Sequence, residues 1–240
     1  MLAFVQTISI AGPAIAANIN QTLKASSIAI PSDRLGFVAL SPDGNTLASV
    51  GSDEQIMLWD IVSGQTRATL PNQFKDLVSG IVFSPDSNTL ASVSGNSIQL
   101  WDAISGDVRL TLPASALVTD PVFSPDGKTL AAVAQGANVT LWNAQSGSTT
   151  QVLTGHQNGV NAITFSPDSK TLATGGQDAQ IKLWNVATGT GQASLSGSGG
   201  AAVTDLVFSP DGKRRCMRWL MGCRAETVCM PTVRPVRSQT

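Results

Sequence analysis

The sequence predicts an all-β chain built from repeated units of four short antiparallel strands, and three observations carry that prediction. The tripeptide Ser-Pro-Asp recurs at 41–43, 84–86, 124–126, 166–168 and 209–211, at spacings of 43, 40, 42 and 43; such a period marks a stacked-repeat architecture. Charged residues are 13% of the 240, well under the usual ~25%. In their place stand 22 Gly and many Ser, Thr and Asn, which favour tight turns and short strands over surface helices. No segment of the body carries an apolar period of 3.6 residues, whereas short runs alternate apolar and polar.

The elements of a repeat follow from its anchors. In Ser-Pro-Asp the proline presets φ and the aspartate can cap backbone amides, so each copy is a turn. Four copies lead into Thr-Leu-Ala, at Thr46–Ala48, Thr89–Ala91, Thr129–Ala131 and Thr171–Ala173. A second anchor, Leu-Trp-Asp or Leu-Trp-Asn, holds Trp59, Trp101, Trp142 and Trp184 at spacings of 42, 41 and 42. Ser-Gly or Thr-Gly follows each tryptophan and makes the next turn. In the fourth repeat, Val160–Phe165 alternates as the first strand and Ser166–Ser169 turns. Thr171–Gly175 forms the second strand, Ile181–Val186 the third, and a fourth lies near Gln192–Leu195.

These residues resemble the WD-repeat β-propeller family over roughly residues 20–213. The resemblance rests on Trp59-Asp60 and Trp101-Asp102, on the variants Trp142-Asn143 and Trp184-Asn185, and on one Gly155-His156. It implies four complete blades and a fragment of a fifth, an incomplete ring. It also implies that His156, Thr174, Asp178 and Trp184 share one structural hydrogen-bond network. Asp53 precedes Trp59 by six residues, as Asp178 precedes Trp184. Gly95 and Gly136 stand there in the second and third repeats, so their networks are expected to be incomplete.

Family resemblance implies a non-catalytic scaffold that presents loops to other proteins or peptides, since rigid loops lower the ordering cost of association. The loops that precede the first strand, or join the second to the third, give the candidate contact residues. These are Asp53, Glu54, Phe74, Lys75, Asp76, Gln157 and Asn158. Phe74 is the one aromatic among them, and a packed strand-end residue is its alternative reading. Two alternatives remain for the whole chain: a propeller fragment of a larger multidomain regulator, or a small-ligand or hydrolytic propeller using Asp120, Asn161, Thr164 and Asp205.

Enzyme classes find little support. His156, the single histidine, could be a general base, but its spacing to Thr174 and Asp178 fits a buried donor holding a loop. Carboxylates placed once per repeat do not form an acid/base pair. The body lacks a phosphate-cradling glycine loop, a Gly-x-Ser-x-Gly elbow and a Cys/His cluster. No catalytic residue, cofactor or metal is therefore expected. Residues 1–213 hold 9 Lys and Arg against 15 Asp and Glu, which opposes nucleic-acid binding. Self-association through open blade edges is expected instead, with no membrane insertion of the body.

The two ends differ from the body. Residues 1–19 form an apolar segment ending near Ala14-Ile15-Ala16-Ala17. They suit either a secretory-signal remnant without its basic n-region or a strand packed on the first blade, so the compartment is either cytoplasmic or exported. Residues 214–240 replace the expected Thr-Leu-Ala with a basic segment rich in Cys, Arg and Met, holding six Arg against one Glu. Read one frame over, its codons allow or nearly allow most of Thr129–Gly136. A frameshifted, disordered tail is the expectation.

Overall fold

A computed structural model describes residues 36–51, 53–71, 76–114, 116–134, 137–196, 200–211, 214–221 and 224–231. The expectations for residues 1–19, and for any strand between 20 and 35, fall outside that range. The described residues form five meandering sheets, each with its strands in sequence order. The first holds β1 (Val38–Leu40), β2 (Thr46–Val50), β3 (Ile56–Asp60) and β4 (Thr66–Leu70). The second holds β5 (Val78–Phe83), β6 (Thr89–Ser94), β7 (Ser97–Asp102) and β8 (Val108–Pro113). The third runs β9 (Val118–Phe123), β10 (Thr129–Ala134), β11 (Asn138–Asn143) and β12 (Thr149–Leu153). The fourth runs β13 (Val160–Phe165), β14 (Thr171–Gly176), β15 (Gln180–Asn185) and β16 (Gly191–Ser196). A three-stranded fifth sheet has β17 (Val203–Phe208), β18 (Arg214–Met221) and β19 (Arg224–Pro231). The chain divides into two compact units, residues 1–135 with 139–152 and residues 153–240 with 136–138.

Each Ser-Pro-Asp turn is built alike. In the first repeat, Ser41 Oγ donates to Asp43 Oδ1 at 2.5 Å and accepts the Thr46 amide at 2.8 Å. Asp43 Oδ1 also accepts the Asn45 amide at 3.1 Å. The Ser–Asp bond recurs at Ser84–Asp86, Ser124–Asp126, Ser166–Asp168 and Ser209–Asp211, at 2.5–2.6 Å. The residue after each of the first four aspartates takes a left-handed φ. Gly44 and Gly127 do so freely, whereas Ser87 (63°) and Ser169 (60°) do so against a side-chain penalty.

The third strand of each four-stranded sheet places its adjacent leucine and tryptophan on opposite sides, as period-two alternation requires. Trp101 therefore joins Leu58, Leu70 and Leu90 in the core between the first two sheets. Ile98 and Leu100 join Leu130 and Trp142 between the second and third. In the other compact unit, Ile181 and Leu183 pack with Val203 and Phe208. Each fully buried leucine contributes about 1.5–3 kcal/mol of transfer free energy.

The tail departs from expectation. Arg214–Met221 and Arg224–Pro231 are not disordered but pair as an antiparallel hairpin on β17, in the register Phe208↔Arg215 and Val203↔Trp219. β18 begins three residues after Asp211, as β2 begins three after Asp43 and β14 three after Asp168. The reason lies in the main chain: β17 presents a ladder edge whose N–H and C=O groups accept any extended segment. Residues 232–240 lie outside the described range.

Candidate functional site

The fourth repeat carries the densest polar cluster. Thr174 sits on β14 and Trp184 on β15, His156 in the connection before β13, and Asp178 in the turn from β14 to β15. Trp184 Nε1 donates to Thr174 Oγ1 at 2.9 Å, and that oxygen lies 2.7 Å from His156 Nε2. His156 Nδ1 is 3.0 and 3.1 Å from the two Asp178 oxygens. A carboxylate only accepts, so Nδ1 carries the proton. With Nδ1 as the protonated ring nitrogen, Thr174 Oγ1 accepts a hydrogen bond from the indole N–H and donates its own O–H to Nε2. Asp178 also accepts the amides of Gln157 at 2.9 Å and Gln180 at 3.1 Å. Every polar atom of the cluster is thereby partnered.

Two glycines admit this geometry. A Cβ on Gly176 would collide with Asp178 Oδ1 and His156 Nδ1, and Gly155, at φ 143°, lies against the Trp184 ring. Burial disfavours the charged Asp178 carboxylate, but the Gln157 amide and the His156 ring outweigh it and hold its pKa below the ordinary value.

The order carboxylate, imidazole, hydroxyl has the form of a nucleophile-activating triad, yet its exposure does not. Thr174 is fully buried and the His156 and Asp178 side chains are 1% and 6% exposed. The Thr174 oxygen already accepts the Trp184 indole, so it offers no free face to an incoming carbonyl. Among the described residues no group of three His, Cys, Asp or Glu could hold a metal ion.

The other repeats keep parts of the cluster. Trp59 Nε1 donates to Ser49 Oγ and Trp101 Nε1 to Ser92 Oγ, each at 2.8 Å. In the third repeat the residue ten before the tryptophan is Ala132. Trp142, 1% exposed, has no acceptor for its Nε1.

The candidate loop residues are dispersed. Asp53 is exposed and caps the Gln55 amide at 3.2 Å, while Glu54 Oε2 accepts the Val78 amide at 2.8 Å. Asp76 is exposed, and its carbonyl accepts Ser94 Oγ at 2.8 Å. Gln157 and Asn158 are exposed beside His156. Phe74 and Lys75 lie outside the described residues. Of the channel set, Asn161 Nδ2 donates to the Val203 carbonyl at 3.1 Å; Asp120 and Asp205 are exposed.

Sequence reasoning missed two features. Asp60 pairs with Arg67 at 2.7 Å and Asp102 with Arg109 at 2.6 Å. Capping amides, Ser63 for Asp60 and Ser105 for Asp102, together with these guanidinium groups, bring both carboxyls to about 2. The signal was present: Arg stands eight residues after Trp where Asp follows Trp, and Thr150 or Gln192 stands there where Asn follows. The second is a pair of exposed leucines, Leu77 and Leu117.

The family model for the WD domain, G-beta repeat, matches residues 26–60, 64–102 and 147–185. A stretch of 62 residues, 26% of this chain, is 40% identical to the small ribosomal subunit protein RACK1 of Caenorhabditis elegans. That stretch spans 18% of the relative's length. Both likenesses support a protein-interaction role in general terms.

Proposed function

Because the chain belongs to the WD-repeat family, we propose that it is a non-catalytic protein-interaction scaffold whose contacts are made by loops between the strands. The observation that carries the reading is the closure of the fourth-repeat cluster on itself. Its single histidine, buried threonine and carboxylate are used up in joining a loop, two strands and a turn. That is the chemistry of a clasp, which rigidifies the loops around it. The balance of residues 1–213, 15 acidic against 9 basic side chains, favours a cationic protein partner over nucleic acid.

The test pairs partner capture with an activity screen. The chain is used as bait and a captured protein is then reconstituted from purified components. Exchange of Asp53, Glu54, Gln157 and Asn158 for Gly and Ser is expected to weaken that complex without changing the melting temperature by more than a few degrees. His156→Ala is expected to lower the melting temperature and to leave any background hydrolysis of ester, peptide and phosphate substrates unchanged. Turnover that vanishes in a folded His156→Ala variant would overturn the reading.

A further inference from the structure

Leu77 and Leu117 occupy the same place in neighbouring repeats, one residue before the buried valines Val78 and Val118 that open β5 and β9. They are 74% and 56% exposed. The fold does not ask for leucine there: Gly159 and Ala202 fill the position before Val160 and Val203. Scattered exposed leucines are ordinary, but two at equivalent sites of adjacent blades form a patch. Short contacts within the first compact unit join them. Asp76, next to Leu77, fills the space that a Cβ on Gly95 would take. The Gly95 carbonyl accepts the Val118 amide at 3.0 Å, next to Leu117. Ser79 Oγ, two residues after Leu77, donates to the Val118 carbonyl at 2.9 Å.

The rim of this patch is negative. Glu54 reaches the amide of Val78, one residue from Leu77. Asp53 and Asp76 are exposed, as is Asp120, three residues after Leu117. In these loops the sequence holds one basic residue, Lys75, which lies outside the described residues, against Asp53, Glu54, Asp76 and Asp120. Apolar anchors inside a rim of net negative charge fit a partner of the opposite charge that brings apolar side chains with it.

We propose that Leu77 and Leu117 are the anchors of a docking surface for a basic protein segment carrying leucine-like side chains. The proposal rests on the scaffold reading and narrows its partner. Desolvating the two leucines holds the segment, and the carboxylates steer and select it.

Fluorescence anisotropy on the full chain tests it, with the labelled probe peptide Lys-Leu-Lys-Lys-Leu-Lys and its counterpart Glu-Leu-Glu-Glu-Leu-Glu. The lysine probe is expected to bind and to weaken as salt rises, and the glutamate probe is not. Leu77→Ser with Leu117→Ser should raise the Kd for the lysine probe at least about tenfold, as loss of central apolar anchors does. The melting temperature should stay put, since both side chains are exposed. Leu77→Lys with Leu117→Lys should abolish binding by repulsion and supplies a second check. Equal affinity for both probes, an unchanged Kd in the serine variant, or no binding of the lysine probe each overturns the proposal. A captured protein partner that still binds the serine variant would sink this surface and leave the scaffold reading standing.

Discussion

The third and fourth repeats share a backbone plan and differ in what they do with one buried indole. In the fourth, Trp184 donates to Thr174, which bonds His156, which bonds Asp178. In the third, Ala132 stands where Thr174 does, Gly136 where Asp178 does, and Trp142 Nε1 is left without an acceptor. Both tryptophans are buried and both sheets form. Apolar packing therefore suffices to build a blade, and the polar cluster adds stability and loop order on top. The first and second repeats stand between, each keeping a Ser acceptor for its tryptophan.

The largest effect expected from this comparison is the loss of the shared acceptor. Thr174→Ala would strand the Trp184 indole and the His156 Nε2 in a dry interior. About 1–3 kcal/mol for each of the two orphaned groups implies a destabilisation of roughly 2–6 kcal/mol, read by urea denaturation. A loss under about 0.5 kcal/mol would mean that the cluster adds nothing to packing. Gly176→Ala should act in the same direction, because its Cβ would drive Asp178 and His156 apart.

The reverse change should help the third repeat. Ala132→Ser places a hydroxyl where Ser92 stands one repeat earlier, and one buried hydrogen bond contributes about 1 kcal/mol.

Acid titration sharpens the contrast between Asp-bearing and Asn-bearing repeats. Asp60 and Asp102 lie at about 2, below the unfolded value near ~3.9. A folded pKa below the unfolded one means stability fully present above about pH 4 and lost as pH falls toward about 2. Asp178 is lowered too, so its contribution is lost in the same direction. Asp60→Asn with Asp102→Asn should therefore shrink the drop in urea midpoint between pH 5 and pH 3. An unchanged drop would assign the acid sensitivity to other carboxylates.

The smallest effect concerns the surface pairs. Asn143→Asp with Thr150→Arg copies the Asp60–Arg67 arrangement into the third repeat. Exposed ion pairs give ~0–1 kcal/mol, so the gain should be at most a few tenths of that scale and should vanish in high salt. A gain that survives high salt would point to packing by the Arg stem instead.

Much of this fold was legible in the sequence because it is written several times. Ser-Pro-Asp, Thr-Leu-Ala and Leu-Trp fall at fixed distances, and turn chemistry plus alternation then leave little choice of strand. In the fourth repeat the expected third strand starts one residue late, at Ile181 rather than Gln180, the usual fate of boundaries set by hydrogen bonds. The tail was misread because side-chain pattern was taken as the requirement for a strand, whereas β17 offers a main-chain edge that is indifferent to it. The Trp142 orphan could have been found by asking what directly follows each Thr-Leu-Ala: Ser49, Ser92 and Thr174 in three repeats, but Ala132 in the third. The exposure of Leu77 and Leu117 could not, since an apolar residue beside a buried valine reads as core until the backbone shows which way it faces.

One comparison tests the central claim, that a single hydroxyl decides whether a blade's buried indole is satisfied. Urea denaturation of the wild type, Ala132→Ser and Thr174→Ala under one buffer gives three free energies. Ala132→Ser is expected about 1 kcal/mol above the wild type and Thr174→Ala roughly 2–6 kcal/mol below it. Both variants falling below the wild type, or both matching it, would contradict the account: packing alone would then hold the blades, and the fourth-repeat cluster would need another purpose.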